Sequence, residues 1–415
     1  MKKYGCIGKK LTHSFSKEIH MKLANYKYEL IELAEEEIAK FFEDKAFAGI
    51  NVTMPYKQTV IPYLDWVSDI ARRIGAVNTI INKDGKLFGY NTDYYGMKAL
   101  IERVGLELSG KKVLILGTGG TAKTAQIVAQ DMGACEILTV SRRKTDENIT
   151  YEEAVTLHSN ANVIINTTPL GMYPNLDSKP IDISYFSNLE GVIDAIYNPL
   201  CTNLVLDAKS RGIKAEGGLY MLVMQAVVAA EKFLDTKISK DVVDKVFRSI
   251  ISSKQNIVIT GMPGSGKSTV GKLLNVDGFE FIDTDTEIEM RCGCTIKELI
   301  NTKGEKYFRD LESEVIRNIS SKNSQIISTG GGVVLREENV CRLKQNGKLF
   351  FIDAKLSRLC ASESRPLSNT EDKLVKLYTQ RIDIYKKTAD IVVPDMDTPK
   401  AEADYILAKR METTQ

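Results

Sequence analysis

Two glycine-rich segments constrain this chain more than any other feature of it. Gly117-Thr118-Gly119-Gly120-Thr121-Ala122 follows the apolar run Val113-Leu114-Ile115-Leu116. Gly261-Met262-Pro263-Gly264-Ser265-Gly266-Lys267-Ser268 follows Ile257-Val258-Ile259-Thr260. A short apolar strand, a glycine turn and a helical pattern open an α/β unit in which a helix N-terminus faces an anion. The two segments are far apart in a chain of 415 residues, which is too long for one ordinary core. They are therefore expected in different sheets, giving an α/β protein of two or three domains.

Between them, residues 235–256 carry a helical pattern (Val242, Val243, Val246, Phe247, Ile250) that runs into the polar Ser252-Ser253-Lys254-Gln255-Asn256, the candidate boundary. Strand-like runs such as 49–53 and 76–81 precede the first glycine turn. We therefore expect a separate lobe over 1–105, closed by helices from about 218–250. A dinucleotide-binding domain over 106–250 and a third domain over 256–415 complete the chain.

The charge balance of +2 gives no reason to expect nucleic acid or a membrane surface as partner. No apolar run approaches the ~18 residues of a spanning helix, and the N-terminal residues do not read as a signal peptide. Seven scattered cysteines, with Cys292 and Cys294 as a lone C-x-C, read as reduced thiols, so a cytoplasmic protein is expected. The three histidines are His13, His20 and His158. Acid–base chemistry in the second half must use Asp, Glu, Lys or the substrate. His20 and His158 are expected to be structural. Oligomeric state is not legible.

The first glycine segment fits G-x-G-x-x-A. Gly117 allows the tight turn, Gly119 lets a pyrophosphate approach the backbone, and Ala122 lets helix and strand pack closely. The next strand ends in Ser141-Arg142-Arg143-Lys144. An NAD site usually carries an acid there for the ribose 2′-hydroxyl. Cations in its place point to the 2′-phosphate of NADP(H).

The surrounding residues, over about 4–235, resemble the shikimate dehydrogenase family. They are His13-Ser14-Phe15-Ser16, Asn51-Val52-Thr53-Met54-Pro55-Tyr56-Lys57, Gly75-Ala76-Val77-Asn78-Thr79 and Gly89-Tyr90-Asn91-Thr92-Asp93. Asn166-Thr167-Thr168, 194–199 and 218–225 come after them in the family's order. The resemblance implies a Rossmann domain beside a substrate lobe. Lys57 and Asp93 are then the polar pair at the reacting hydroxyl, with Lys57 as base or chiefly as binder left open. Ser14 and Ser16 hold the substrate carboxylate. Thr53, Asn78 and Gln225 hold its hydroxyls, Tyr197 is at the substrate, and Gly120 and Gly218 lie at the cofactor. Two departures are Lys17, where the family usually has Pro, and Ser141-Arg142-Arg143 for the common Asn-Arg-Thr.

The second segment fits G-x-x-x-x-G-K-[ST] in full. Gly261, Gly264 and Gly266 let backbone N–H groups wrap phosphates, Lys267 reaches the outer phosphates, Ser268 ligates Mg²⁺, and Thr269 is next at the nucleotide. The residues over about 256–395 resemble the shikimate kinase family: Phe281-Ile282-Asp283-Thr284-Asp285, Gly304-Glu305-Lys306-Tyr307-Phe308-Arg309, Gly330-Gly331-Gly332, Ser364-Arg365-Pro366-Leu367 and Arg381-Ile382-Asp383-Ile384-Tyr385. The resemblance implies a P-loop kinase using ATP and Mg²⁺. Asp285 orients the attacking hydroxyl, with its deprotonation by the same carboxylate left open, and Asp283 acts near Mg²⁺. Arg309 and Arg381 hold the carboxylate, because guanidinium suits planar pairing. The three glycines let substrate approach, Arg365 closes over the phosphoryl group, and Arg358 packs on adenine. The segment between the phosphate loop and Asp283 is about one residue shorter than usual.

Both resemblances converge on one acid: 3-dehydroshikimate reduced to shikimate, then shikimate phosphorylated. The rivals are a quinate-preferring NAD enzyme and a catalytically dead ligand sensor. Ser141-Arg142-Arg143-Lys144 argues against the first. Lys57, Asp93 and Lys267 argue against the second.

Overall fold

A computed structural model describes residues 3–11, 15–359 and 370–410. The chain divides into two compact units, Met1–Ile250 and Ile251–Gln415. The helix Lys240–Lys254 runs through Ser252 and Ser253, so the polar stretch is its last turn rather than a connecting loop.

The first unit holds two sheets. One is built from β1 (Tyr4–Gly8), β2 (Tyr28–Glu32), β3 (Gly49–Val52), β4 (Trp66–Val67), β5 (Thr79–Lys83) and β6 (Lys86–Tyr90). Its order is β2-β1-β3-β5-β6-β4. β3, β5 and β6 run antiparallel in turn. The β5–β6 hairpin turns on Asp84-Gly85, both at positive φ, which suits the twist of a two-residue hairpin loop.

The second sheet is wholly parallel: β7 (Lys112–Leu116), β8 (Glu136–Ser141), β9 (Ile149–Thr150), β10 (Val163–Asn166), β11 (Gly191–Asp194) and β12 (Lys214–Glu216), in the order β12-β11-β10-β7-β8-β9. Every residue of β7, β10 and β11 is buried, as expected when helices cover both faces. The chain leaves β7 toward β8 on one side and returns as β10 on the other. The crevice therefore opens at the C-terminal ends of β7 and β10, beside Gly117.

The helix Leu219–Leu234 is apolar around most of its surface and packs on Asp93–Val104 and Ser16–Leu23. The approach is close at Gly96, where an added Cβ would lie 2.5 Å from the Met221 carbonyl oxygen. The chain thus returns from the dinucleotide sheet to the first lobe.

The second unit is one parallel sheet of β13 (Asn256–Gly261), β14 (Glu280–Asp283), β15 (Gln325–Ser328), β16 (Gly347–Ile352) and β17 (Ile391–Val393), ordered β14-β15-β13-β16-β17. β13 is fully buried and central, so the phosphate loop leaves from the middle of the core. Among the described residues no helix is long and apolar enough to cross a membrane.

Two candidate active sites

In the first unit a cavity of about 620 Å³ gathers Ser16, Thr53, Lys57, Asn78, Asp93, Tyr197, Gly218 and Gln225. Ser14 and His13 lie outside the described residues. Lys57 follows the buried Tyr56, whose hydroxyl donates to the Leu33 carbonyl at 2.6 Å, and the Lys57 carbonyl accepts from Val77 N–H at 2.8 Å. The backbone is therefore pinned on both sides of the lysine. Its Nζ lies 2.6 Å from Asp93 Oδ2. Asp93 opens the helix Asp93–Val104, where a carboxylate is favoured by the helix dipole. The segments carrying Asn78 and Asp93 are tied together: Asn91 Nδ2 donates to the Ala76 carbonyl at 3.0 Å and Thr92 N–H to Asn78 Oδ1 at 2.7 Å.

Asp194 is buried and accepts from Asn166 Nδ2, Ile196 N–H and the Thr202 hydroxyl, shaping the turn that delivers Tyr197. Gly218 caps Leu219–Leu234, and an added Cβ there would lie 2.2 Å from the Ala195 carbonyl oxygen. Its lack of a side chain lets two backbone segments pack.

At the dinucleotide turn, Gly117 has φ 105° and an added Cβ would meet Thr167 Oγ1 at 2.9 Å. Gly119 and Gly120 are different. An added Cβ at either finds nothing within 4 Å, which leaves open space over the N-terminus of Gly120–Asp131. Ala122 is buried beneath them. At the end of β8, Ser141 Oγ accepts from Arg143 N–H at 3.2 Å and turns the chain. Arg142 and Arg143 are exposed, and no ion pair holds them among the described residues. Lys144 is paired with Glu153, so the basic run presents two guanidinium groups rather than three cations.

The second cavity, about 530 Å³, brings together Gly264, Gly266, Lys267, Ser268, Thr269, Asp283, Asp285, Arg309, Gly330, Gly331, Gly332 and Arg381. Gly261, Gly264 and Gly266 have φ of 153°, 86° and 87°, so the loop needs residues without a Cβ. Lys267 Nζ donates to the Gly261 and Met262 carbonyls at 3.0 and 2.9 Å, folded over its own loop. The Ser268 hydroxyl donates to Asp283 Oδ2 at 2.6 Å. Asp283 Oδ1 accepts from the N–H groups of Asp285 and Thr286, capping the helix Thr284–Cys292. Burial pushes the Asp285 carboxyl up to about 6; the charge of Asp283 adds to this and Lys267 opposes it.

Arg309 donates to Glu312 Oε2 at 2.8 Å and to Glu305 Oε1 at 3.2 Å. Arg381 donates to the Gly331 carbonyl at 2.9 Å, and the Tyr385 hydroxyl donates to the same oxygen. An added Cβ at Gly330 would lie 2.6 Å from Asp285 Oδ1, at Gly331 2.8 Å from the Pro263 ring, and at Gly332 2.1 Å from Arg309 Nη1. The room left by the three glycines is thus filled by the protein's own groups. Arg358 is not among the residues lining this cavity; its guanidinium contacts Asp395, the Met396 carbonyl and Glu402. Arg365 lies outside the described residues.

A family model described as Shikimate dehydrogenase substrate binding domain matches residues 6–80. A shikimate dehydrogenase (NADP(+)) of Clostridium beijerinckii is 40% identical over 261 residues, 58% of this chain and 96% of its own length. The chain belongs to the shikimate dehydrogenase family. Residues 263–411 match the family model described as Shikimate kinase, so a shikimate kinase domain follows the dehydrogenase part. Two solved structures cover only the dehydrogenase part. Shikimate dehydrogenase 1 from Peptoclostridium difficile is 36% identical with a TM-score of 0.55, over 60% of this chain and 98% of its own. The Thermus thermophilus enzyme, solved in complex with NADP(H) and shikimate, is 27% identical with a TM-score of 0.55, over 60% and 99%.

Several lining residues were not singled out from the sequence. In the dehydrogenase part these include Cys6, Asn51, Thr121 and Met221; in the kinase part Glu289, Ile296, Ile300 and Glu312. Glu312 was findable, because Glu305, Arg309 and Glu312 are spaced to share one face of a helix. Burial pushes the Cys6 thiol up to about 12, with Lys57 partly opposing, so burial favours the thiol over the thiolate despite its place in the cavity. His20 is buried and uncharged, held down to about 3 by burial. His158 Nδ1 contacts Lys112 Nζ at 2.8 Å, on the dinucleotide sheet.

Proposed function

We propose that the Lys57–Asp93 pair is the reducing centre for 3-dehydroshikimate and that Asp285, flanked by Arg309 and Arg381, is the acceptor site where shikimate is phosphorylated. The dehydrogenase part makes shikimate and the kinase part consumes it. What carries this reading is the coincidence, in one cavity, of the phosphate loop with Asp285, Arg309 and Arg381, on a chain whose other half belongs to the shikimate dehydrogenases.

The open space over Gly119 and Gly120 and the two unpaired guanidinium groups fit NADP(H), with Arg142 and Arg143 toward its 2′-phosphate. NADPH, when bound, supplies a hydride. Lys57 carries three N–H donors, of which one goes to Asp93. Another is available to the ketone oxygen, where the ammonium stabilises developing charge and provides the proton that completes the alcohol. Asp93 fixes the direction of that ammonium.

In the kinase part, the Asp285 carboxylate accepts the proton of the attacking hydroxyl. The new oxygen–phosphorus bond forms as the bond from phosphorus to ADP breaks. Lys267 leaves the carbonyls of its loop to reach the phosphates. Arg309 has five N–H donors, two of them given to Glu312 and Glu305, so others remain for the substrate carboxylate. The Ser268 hydroxyl and Asp283 carboxylate, adjoining at the cavity, are oxygen donors suited to Mg²⁺, which takes few protein ligands beside phosphate and water. Mg²⁺, when bound, neutralises phosphate charge.

A coupled assay with 3-dehydroshikimate, NADPH and ATP tests the reading. NADPH oxidation and ADP release should both proceed, with ADP release from 3-dehydroshikimate requiring NADPH. Absence of either turnover overturns the corresponding half.

A further inference from the structure

Two asparagines line the dehydrogenase cavity, and their hydrogen bonds separate their roles. Asn51 Nδ2 donates to the Thr79 hydroxyl at 3.0 Å and to the Asn78 carbonyl at 3.3 Å. Its Oδ1 accepts from the Tyr28 hydroxyl at 2.7 Å. A carbonyl oxygen can only accept, so the Asn51 amide has one orientation, and both its hydrogens are used inside the protein. Asn78 Oδ1 accepts from Thr92 N–H at 2.7 Å and from the Thr79 hydroxyl at 3.1 Å. Its Nδ2 gives one hydrogen to the Thr92 hydroxyl at 3.0 Å and keeps the other. Asn51, Asn78, Thr79, Thr92 and Tyr28 are all buried, and the Tyr28 ring is itself stacked on His20 at 4.0 Å.

We infer that Tyr28, Asn51 and Thr79 form a buried hydrogen-bond chain that, together with the Thr92 N–H, positions Asn78, so that Asn78 shows the substrate an N–H donor and never its carbonyl. The Thr92 N–H, a donor that cannot reverse, fixes which end of the Asn78 amide faces inward, and the Thr79 hydroxyl reinforces it: accepting from Asn51, it passes its own proton to Asn78 Oδ1 or to the Thr92 hydroxyl, each at 3.1 Å. The site then demands a lone pair at that point of the ligand. A buried amide free to turn would accept from a donor equally well and would lose that discrimination. Tyr28, Asn51 and Thr79 are positioning residues here. This rests on the reading that the cavity binds 3-dehydroshikimate.

The test uses the full chain and steady-state reduction of 3-dehydroshikimate, with kinase turnover of the same preparation as the control for protein quality. Thr79→Val removes the link without changing shape. It should raise KM for 3-dehydroshikimate about tenfold while kcat and KM for NADPH stay within about threefold. Thr79→Ser restores the hydroxyl and should return KM to within about twofold of wild type. Tyr28→Phe, at the far end of the chain, should raise KM by a smaller factor. It decides the matter should Thr79→Val fail to fold. A wild-type KM in Thr79→Val, or equal losses in the Val and Ser variants, overturns the inference. A wild-type chain without reductase turnover overturns the reading of the site instead.

Discussion

Two groups of glycines, Gly119-Gly120 at the dinucleotide turn and Gly330-Gly331-Gly332 in the kinase cavity, differ in what their missing side chains leave room for. At Gly119 and Gly120 an added Cβ would meet nothing within 4 Å. At Gly330, Gly331 and Gly332 it would collide with Asp285, Pro263 and Arg309. The first pair leaves open space, whereas the space at the triplet is taken up by the protein's own Asp285, Pro263 and Arg309. The lysines repeat the contrast. Lys57 is held on the Asp93 carboxylate within its cavity, whereas Lys267 is folded onto the carbonyls of its own loop and, on the proposed reading, changes partners to reach phosphate.

The largest effects should come from the lysines. Lys57→Ala should lower reduction by about 10²–10⁴-fold, as loss of a positioned proton donor does, with phosphorylation unchanged. Lys267→Ala should lower phosphorylation by about 10²–10³-fold or more, with reduction unchanged. Initial rates of both reactions on each variant check this. Cross-loss between the parts, with circular dichroism unaltered, would show that the two centres do not work separately.

The glycines give the sharper test. Gly332→Ala should push the Arg309 guanidinium off the buried Glu312 carboxylate, cost about 1–3 kcal/mol of kinase-domain stability through that lost partner, and raise KM for shikimate. Gly119→Ala has ordinary φ and open space, so thermal stability should stay within about 0.5 kcal/mol while NADPH binding weakens. Melting curves beside ligand titrations separate the two. If Gly119→Ala destabilised the fold and Gly332→Ala did not, the contrast would be reversed.

Arg142 and Arg143 come next. Neutral replacement of each should cost roughly 1.5–3 kcal/mol of NADPH affinity, about 10–150-fold, with NADH use little altered. Equal use of both dinucleotides by the unmodified chain would sink the assignment.

How much of this was legible beforehand depends on the physics of each element. The strands leading to both phosphate turns were readable because buried parallel strands are nearly continuous apolar runs, as Val113–Leu116 and Ile257–Ile259 are. Lys57, Asp93, Asp285 and Arg309 were named from motifs, and each lines a cavity. The positions of partners were not readable. Nothing local says that Glu153 takes Lys144, that Asp395 contacts Arg358, or that Tyr28 reaches Asn51, since each depends on tertiary packing. The use of the Gly330–Gly332 space was illegible for the same reason. The end of the long helix at Lys254 differs from the sequence expectation because Ser252 and Ser253 look like a break, yet the helix carries them as its last turn.

The smallest expected effect concerns pH. Burial holds the Asp285 carboxyl near 6, above its ordinary value of 3.8, so the folded protein favours the protonated form. Its contribution to stability is therefore fully present below about 4 and is lost as pH rises through about 6. On the proposed mechanism activity has the opposite sign, because there the carboxylate form of Asp285 accepts the proton of the attacking hydroxyl. Phosphorylation, measured as kcat/KM for shikimate at saturating MgATP, should be near its plateau at about pH 7.5, about half of it near pH 6, and fall about tenfold per unit below that. Asp285→Asn should leave a low, flat residual rate, with ATP still bound through Lys267 and Ser268. A wild-type acid limb centred near about 4 would mean that the substrate cavity does not hold Asp285 as dry as its surroundings imply. The same limb persisting in Asp285→Asn would assign it to another group.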